Sequence, residues 1–512
     1  MAIVTPVPTP PGTRRRLQLS SPATLERIDE IEVATADDVR AAVERARKVQ
    51  PAWAALSFEQ RGAYMRRALE VLLARQEEYM DIVQRETGKA RAEALMMEIY
   101  TCADSFHYYA KRAKKALAPE KRRLHGMMRI AKKLTVVYRP LGVVGVISPW
   151  NGPLVLSLNP TIQALMAGNA VIVKPSEVTP RSGAIVADLF REAGLPDGLV
   201  QVLLGDGETG AALVESGVDK ISFTGSVATG RRVAEACARQ LLPCTLELGG
   251  KDAMIVCADA DLDTAAGGAT AGSFMNTGHY CCGTERVYVV ESVADEFIRK
   301  VVERTKALRQ GTEGEFDVGA VFWHKQMDII EDHMADAIAK GAKVLAGGRR
   351  NPNLSGLFYE PTVLVDVTHD MKIMSEETFG PILPIIRVRD EAEALRLAND
   401  SMYGLSGNVW SRDTGKGARI AACMDTGSVS VNDMAVTYGI PEAPFGGRKW
   451  SGLGQVNGDA GLRGFCFAQP IIVDRFGGKN VGQHYPYTLK KIEDMQKFMR
   501  FLWGTRIGRW IA

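Results

Sequence analysis

Between residues 133 and 247 the chain alternates short apolar runs with amphipathic helical stretches, and this repeat restricts the fold more than any other feature of its 512 residues. Residues 170–173, 199–204, 220–223 and 244–246 read as strands, and 181–193, 209–216 and 230–240 between them as helices. A helix between two strands carries the chain back along the sheet, so such strands run parallel. The implied class is α/β with a doubly wound, Rossmann-like sheet that takes a ligand at the carboxyl ends of its strands. Fifty glycines, many at the ends of apolar runs, suit the tight strand-to-helix turns. A second α/β region runs from Cys281 to about Val431.

Composition narrows the functional classes. With 46% hydrophobic and 24% charged residues the chain can bury a large core in two or three domains, and a net charge of +3 is too small to imply nucleic acid as a partner. Eight cysteines and seven histidines show no Cys-x-x-Cys pair and no zinc spacing, so neither a metal nor a disulfide framework is indicated. Residues 1–22, Pro- and Thr-rich with Arg14-Arg15-Arg16, lack the apolar segment of a signal peptide. No apolar run approaches the ~18 residues of a membrane span, so a cytoplasmic location is expected. From Thr35 to about Ala118 the pattern is helical, with acids in a first turn at Thr35-Ala-Asp-Asp38 and capping-box spacing at Ser57-Phe-Glu-Gln60. Residues 111–133 crowd ten basic side chains against the single acid Glu120. A solvated or subunit-facing surface accounts for such a run, and so does attraction to an anionic surface.

The chemistry concentrates in residues 276–286. Cys281 sits between a helix-like run (262–274) and a strand-like run (286–290), where a thiol at an exposed turn can have its pKa lowered from ~8.5 by backbone N–H groups. Two buried structural cysteines, Cys281 and Cys282, are the plainer alternative. Glu247, between an apolar strand and a Gly-Gly turn, is a candidate carboxylate whose partial burial would raise its pKa toward that of a useful base; a surface turn acid is the alternative. The turn Thr224-Gly225-Ser226 follows a strand and opens a helix, so its N–H groups and the Ser226 hydroxyl could hold a pyrophosphate, although the G-x-G-x-x-G fingerprint is absent. Lys174 and Glu177 end another strand of that sheet. They could bond a nucleotide ribose, and a carboxylate there would repel a 2′-phosphate, which favours NAD over NADP.

Together these segments resemble the aldehyde dehydrogenase superfamily from roughly Ala34 to Asp474. Glu86-Thr87-Gly88-Lys89, Pro149-Trp150-Asn151, residues 174–177, Phe223-Thr224-Gly225-Ser226, residues 247–250, 276–281, 377–381 and 444–447 occur in the family's order, with Glu247 and Cys281 at the family's separation of 34. The resemblance implies Cys281 as nucleophile, Glu247 as activator of water, and Asn151 with the Cys281 N–H as oxyanion donors. It further implies NAD held by Trp150, Lys174, Glu177, Gly225, Ser226, Glu377 and Phe379, with no metal. The implied domains are NAD-binding (1–118 and 140–247), catalytic (248–450) and a β oligomerisation extension (119–139 and 462–474) pairing subunits into a homodimer or homotetramer. Residues 475–512 form a basic amphipathic tail. Such a helix can lie on an anionic membrane surface or pack on a neighbouring subunit.

Two departures from the family pattern bear on the substrate. His279 stands where glutamine is usual, and Gly152 stands where an aromatic residue usually follows the asparagine. A missing ring at the substrate mouth should widen it, so the expected substrate is a bulky apolar or aromatic aldehyde. Cys282 is expected to be a spectator. A CoA-acylating relative would use the same thiol, and a catalytically idle nucleotide-binding or membrane-associated scaffold is the reading from another class; Cys281, Glu247 and Asn151 together argue against the scaffold.

Overall fold

The computed structural model describes residues 2–8, 10, 12–434, 436–478 and 484–511; residues 479–483 and 512 of the tail lie outside them. The alternating region folds as expected. A six-stranded sheet has the order Gly452–Leu453, Cys244–Glu247, Lys220–Thr224, Val143–Ile147, Ala170–Lys174, Val200–Val202. Every pairing is parallel except that of Gly452–Leu453, which adds antiparallel to Cys244–Glu247 from far along the chain. Strands Val143–Ile147 and Ala170–Lys174 are wholly buried, which explains why they read as unbroken apolar runs.

Helices Ala36–Ala54 and Phe58–Ala74 start at the two predicted caps. The Thr35 and Ser57 side chains accept from the Asp38 and Gln60 N–H groups, and those side chains accept in return from the cap backbone. Helix Thr101–Leu117 packs on Phe58–Ala74 and on the almost entirely buried helix Val155–Met166.

A second sheet of seven strands has the order Lys343–Ala346, Thr362–Val365, Ile382–Val388, Thr284–Val290, Asp252–Val256, Gly407–Trp410, Ser430–Val431. Only the Lys343–Ala346 pairing is antiparallel. Its core is separate from that of the first sheet.

Two small antiparallel sheets complete the fold. Glu120–Arg122 pairs locally with Lys132–Pro140, which pairs in turn with Cys466–Asp474 across more than 300 residues of sequence, Cys466 opposite Pro140 and Asp474 opposite Lys132. The other sheet lies in a segment whose composition did not suggest strands: Val4–Val7, Arg16–Ser20 and Arg27–Glu32 form a meander. Ile3 and Val4 from this meander join the core of the seven-stranded sheet.

Candidate active site

The site is assembled where the carboxyl ends of the first sheet meet the turn that follows helix Leu262–Phe274. That turn is strained. Asn276, Thr277 and Gly278 have φ of 56°, 57° and 75°, the left-handed region, which costs a non-glycine residue ~1–3 kcal/mol and persists only where the surroundings enforce it. Glu93 enforces it by accepting the Asn276 N–H at 2.6 Å. A side chain at position 278 would collide with the Gly380 backbone, so glycine is obligatory there on two counts.

The turn delivers Cys281, half-buried, beside the Glu247 strand. A Cβ at Gly250 would lie 2.6 Å from the Cys281 carbonyl, and one at Gly249 would overlap the Glu377 carboxylate. The Gly-Gly pair after Glu247 therefore lets Cys281 and Glu377 approach the same stretch of backbone. Glu377 accepts the Gly250 N–H at 3.0 Å.

Glu247 is 5% exposed, and neither of its carboxylate oxygens has a hydrogen-bond partner among the described residues. Burial, and secondarily Cys281, raise its pKa well above the ordinary carboxylate range, and no cation contributes to the shift. It is thus far from a surface turn acid.

The expectation of a lowered thiol pKa at an exposed turn is corrected here. A side-chain hydrogen bond with Cys282, then burial, then the charges of Cys282 and Glu377 push the Cys281 thiol up. Cys282 is accordingly in contact with the candidate nucleophile rather than remote from it. Contact with Cys282 and burial thus disfavour the thiolate at Cys281.

Asn151 is buried, and its Nδ2 donates to the His279 carbonyl at 3.1 Å, which places the amide against the Cys281 turn. Its own carbonyl accepts from Asn276 Nδ2 at 2.9 Å and from Lys89 Nζ at 3.3 Å. Lys89 is fully buried and paired with fully buried Glu98 at 2.7 Å. The other Glu98 oxygen accepts the Leu154 and Val155 N–H groups at 3.1 and 2.9 Å, at the start of helix Val155–Met166. Sequence reasoning passed over Lys89 except as a motif letter, and over Glu93 and Glu98 altogether. Acids in a helical run give no sign of burial, and Glu98 turns inward within the single π-helical segment Ala94–Tyr100.

A cavity of about 600 Å³ opens beside this cluster at the carboxyl ends of the first sheet, and Trp150, Lys174, Glu177, Gly225, Ser226 and Trp323 line it. Its far end is a slot between helices Gly207–Glu215 and Val227–Arg239, walled by Gly210, Ala211, Val214, Val233 and Ala236, small enough side chains to admit a flat ring. Lys174 Nζ meets Glu177 Oε2 at 3.3 Å at the cavity wall. Ser226 caps helix Val227–Arg239 by accepting the Thr229 N–H at 3.3 Å. The Gly225 N–H, expected to be free for an anion, donates instead to the Glu247 carbonyl at 3.0 Å, so the loop offers the Ser226 region rather than that amide. Burial and neighbouring Glu285 raise Glu377 to about 8.

Phe379, at φ 47°, meets Trp150 edge-on at 5.4 Å and His279 at 5.8 Å. Buried Glu285, bonded to Lys251 at 2.5 Å, accepts the Thr378 and Phe379 N–H groups and fixes that loop. Buried His279 stacks on Phe322 at 4.7 Å and is held neutral by burial, its pKa down to about 3.

Gly152 is closely surrounded: a Cβ built there would lie 3.1 Å from Val155 Cγ1 and 3.2 Å from Leu156 Cδ1. The surroundings are apolar: Leu154, Val155, Leu156, Tyr438 and Phe445 share one core cluster with Cys281 and Tyr280. Elsewhere, the one thiol–carboxylate group within metal-binding reach among the described residues, Cys257, Asp259 and Glu391, is bridged by the Lys416 ammonium.

The sequence matches the aldehyde dehydrogenase family over residues 9–470. It is 40% identical over 460 residues, 90% of this chain and 86% of the other, to a 4,4'-diapolycopene aldehyde oxidase of a Methylomonas species. It is 43% identical over 449 residues, 87% of this chain and 86% of the other, to a Mycolicibacterium smegmatis protein provisionally named a succinate-semialdehyde dehydrogenase (NADP+). The crystal structure of Mycobacterium tuberculosis aldehyde dehydrogenase complexed with NAD+ matches with a TM-score of 0.86 at 36% identity, covering 92% of this chain and 97% of that one. A buried acid, a thiol on a strained turn and a carboxamide beside a nucleotide-sized cavity, together with similarity along nearly the whole chain, show that the protein belongs to the aldehyde dehydrogenase family.

Proposed function

We propose that the protein oxidises an apolar or aromatic aldehyde to the carboxylic acid, with NAD as hydride acceptor, and releases the acid by hydrolysis. The observation that carries this reading is a buried carboxylate, Glu247, within electrostatic reach of Cys281, whose two oxygens have no hydrogen-bond partner among the described residues. Glu247 takes the Cys281 proton, and the thiolate adds to the aldehyde carbon. The oxyanion that forms is stabilised by Asn151 Nδ2 and the Cys281 N–H. A bound nicotinamide would supply the hydride acceptor, and Trp150 at the cavity wall with Phe379 edge-on to it would hold its ring. The product on Cys281 is a thioester. Glu247 passes that first proton to solvent, then removes a proton from the attacking water and returns it to the sulfur as the C–S bond breaks, so the thiol is regenerated. A carboxylate in that position favours water over CoA as the acyl acceptor.

Residues 1–118 and 140–247 serve on this reading as the NAD-binding domain, 248–450 as the catalytic domain, and 119–139 with 462–474 as the extension that pairs subunits. NAD is preferred to NADP because Glu177, beside Lys174, would meet a 2′-phosphate with like charge. Relatives named for NADP+ make this the cofactor question to test: Glu177→Ser should raise the NADP/NAD ratio of kcat/KM at least ~10-fold, since one like-charge contact is worth more than ~1.4 kcal/mol.

An apolar aldehyde fits the apolar cluster against which Cys281 packs and a Glu247 pKa raised by burial and Cys281. The polyene aldehyde in the name of the Methylomonas relative is of that kind; the succinate semialdehyde in the other name is not. The deciding experiment follows NADH formation with aliphatic, aromatic and charged aldehydes, with and without CoA, beside Cys281→Ala. Higher kcat/KM for charged semialdehydes would overturn the substrate class, and a strict need for CoA would overturn hydrolysis.

A further inference from the structure

The family match ends at residue 470, but the described chain continues as two helices, Leu489–Gly504 and Arg506–Ile511. On the longer helix Ile492, Met495, Phe498, Met499, Leu502 and Trp503 share one broad face, and Lys490, Lys497 and Arg500 lie opposite. Of the six apolar residues only Leu502 is buried, against the second helix at Gly508. Trp510 is 87% exposed and Ile507 68%. From Leu489 onward six cations face two acids, and none of these charges forms a salt bridge among the described residues. The hydrogen bonds of residues 488–510 close within the tail itself.

A second element of the same composition stands at the root of the tail. Residues 121–133 carry six cations and no acid, and they expose Met127, Met128 and Ile130. The Arg475 N–H donates to the Ala131 carbonyl at 2.8 Å, and Lys132 pairs with Asp474 at 2.5 Å. The basic loop and the first residues of the tail therefore leave the small sheet at one point.

We propose that the tail helices and this loop form a peripheral docking surface for an anionic lipid bilayer. Charge selects that occupant for these two elements over their own copies in a second chain, because the tail helices and the loop 121–133 are both basic and would repel one another across a self-interface, which leaves subunit pairing to the strand Cys466–Asp474. Exposed Trp503 and Trp510 among Lys and Arg suit the headgroup boundary, where an amphipathic helix lies with its apolar face buried in the acyl region. Among the described residues no helix is long and apolar enough to cross a membrane, so the contact is interfacial. The proposal stands independently of the substrate reading.

The test is flotation of the full-length protein with vesicles of phosphatidylcholine alone or mixed with phosphatidylglycerol. Binding is expected only to the mixed vesicles. It should fall at least ~10-fold for a chain ending at Gly478, and by roughly fivefold per cation removed in full-length Lys497→Gln and Arg500→Gln. The shortened chain keeps the Phe476 and Gly478 N–H bonds to Asp474, so its turnover of a soluble aldehyde should equal that of the full chain and show that it is folded. Equal flotation of the full and shortened chains, equal binding to neutral vesicles, or no binding to either would overturn the proposal. Absent flotation together with a smaller assembly for the shortened chain by light scattering would assign the tail to a second copy instead.

Discussion

On the proposed mechanism Asn151 and Glu247 act in opposite ways, one as a neutral donor and the other as a base whose ionisation burial opposes. Asn151→Ala should lower kcat by ~10²–10³, the usual cost of one oxyanion donor, while Cys281 still reacts with a thiol reagent at an undiminished rate. Retained kcat would remove Asn151 from the oxyanion site. For Glu247 the sign of the pH dependence follows from its raised pKa. Its base form accumulates only as pH rises through that raised value, so thioester hydrolysis should climb with pH well above the ordinary carboxylate range. Glu247→Gln should flatten the climb, slow the first turnover of NADH because the Cys281 thiol loses its proton acceptor, and abolish the steady state. A pH profile identical to wild type would exclude Glu247 as the base. These residues were legible in the sequence because each sits in a short motif with an unusual neighbour. The Cys281 thiol was misread because its state depends on Cys282 and Glu377, and the close surroundings of Gly152 were not legible because they come from Val155 and Leu156, three and four residues on.

At the scale of elements, alternation of strand and helix sufficed for the parallel strands of the first sheet and for the existence of a second α/β region, since a wholly buried strand and an amphipathic helix have distinct patterns. The ion pairs that hold the loops were not legible, because pattern says nothing about which charged residue is buried. Lys89 and Glu98 link three elements: the loop bearing Asn151, the start of helix Val155–Met166 and the π-helical turn. Lys89→Met strands the Glu98 charge in the core and should cost ~3–5 kcal/mol, read as a lower Tm. Adding Glu98→Gln removes that charge but keeps an acceptor for the Leu154 and Val155 N–H groups, so Tm should largely recover. The Asn151 carbonyl still lacks its Lys89 donor, so kcat should remain depressed while KM for NAD is unchanged. Recovery of kcat along with Tm would show that the pair is structural only.

At the scale of the molecule, the small sheet of Glu120–Arg122, Lys132–Pro140 and Cys466–Asp474 is the element least satisfied by the single chain. Cys466–Asp474 is its edge strand, nine residues long, and Phe467 and Ile472 are 63% and 62% exposed on its two faces. A long apolar edge with unpaired backbone groups is a template for another chain, and a soluble protein ordinarily blunts it. Pro470 removes only one N–H from that edge. Strand pairing or face packing between subunits would satisfy it, in keeping with a family that forms oligomers. Burying Ile472 in such a contact is worth ~2 kcal/mol per subunit, and a lysine there would add the cost of a desolvated charge beside an already basic surface. Ile472→Lys should therefore shift the light-scattering mass toward the 55.7 kDa single chain, with Tm of the dissociated subunit lowered because it loses a partner and not a core. An unchanged mass would place the subunit contact elsewhere, and the exposed edge would then need a different cover.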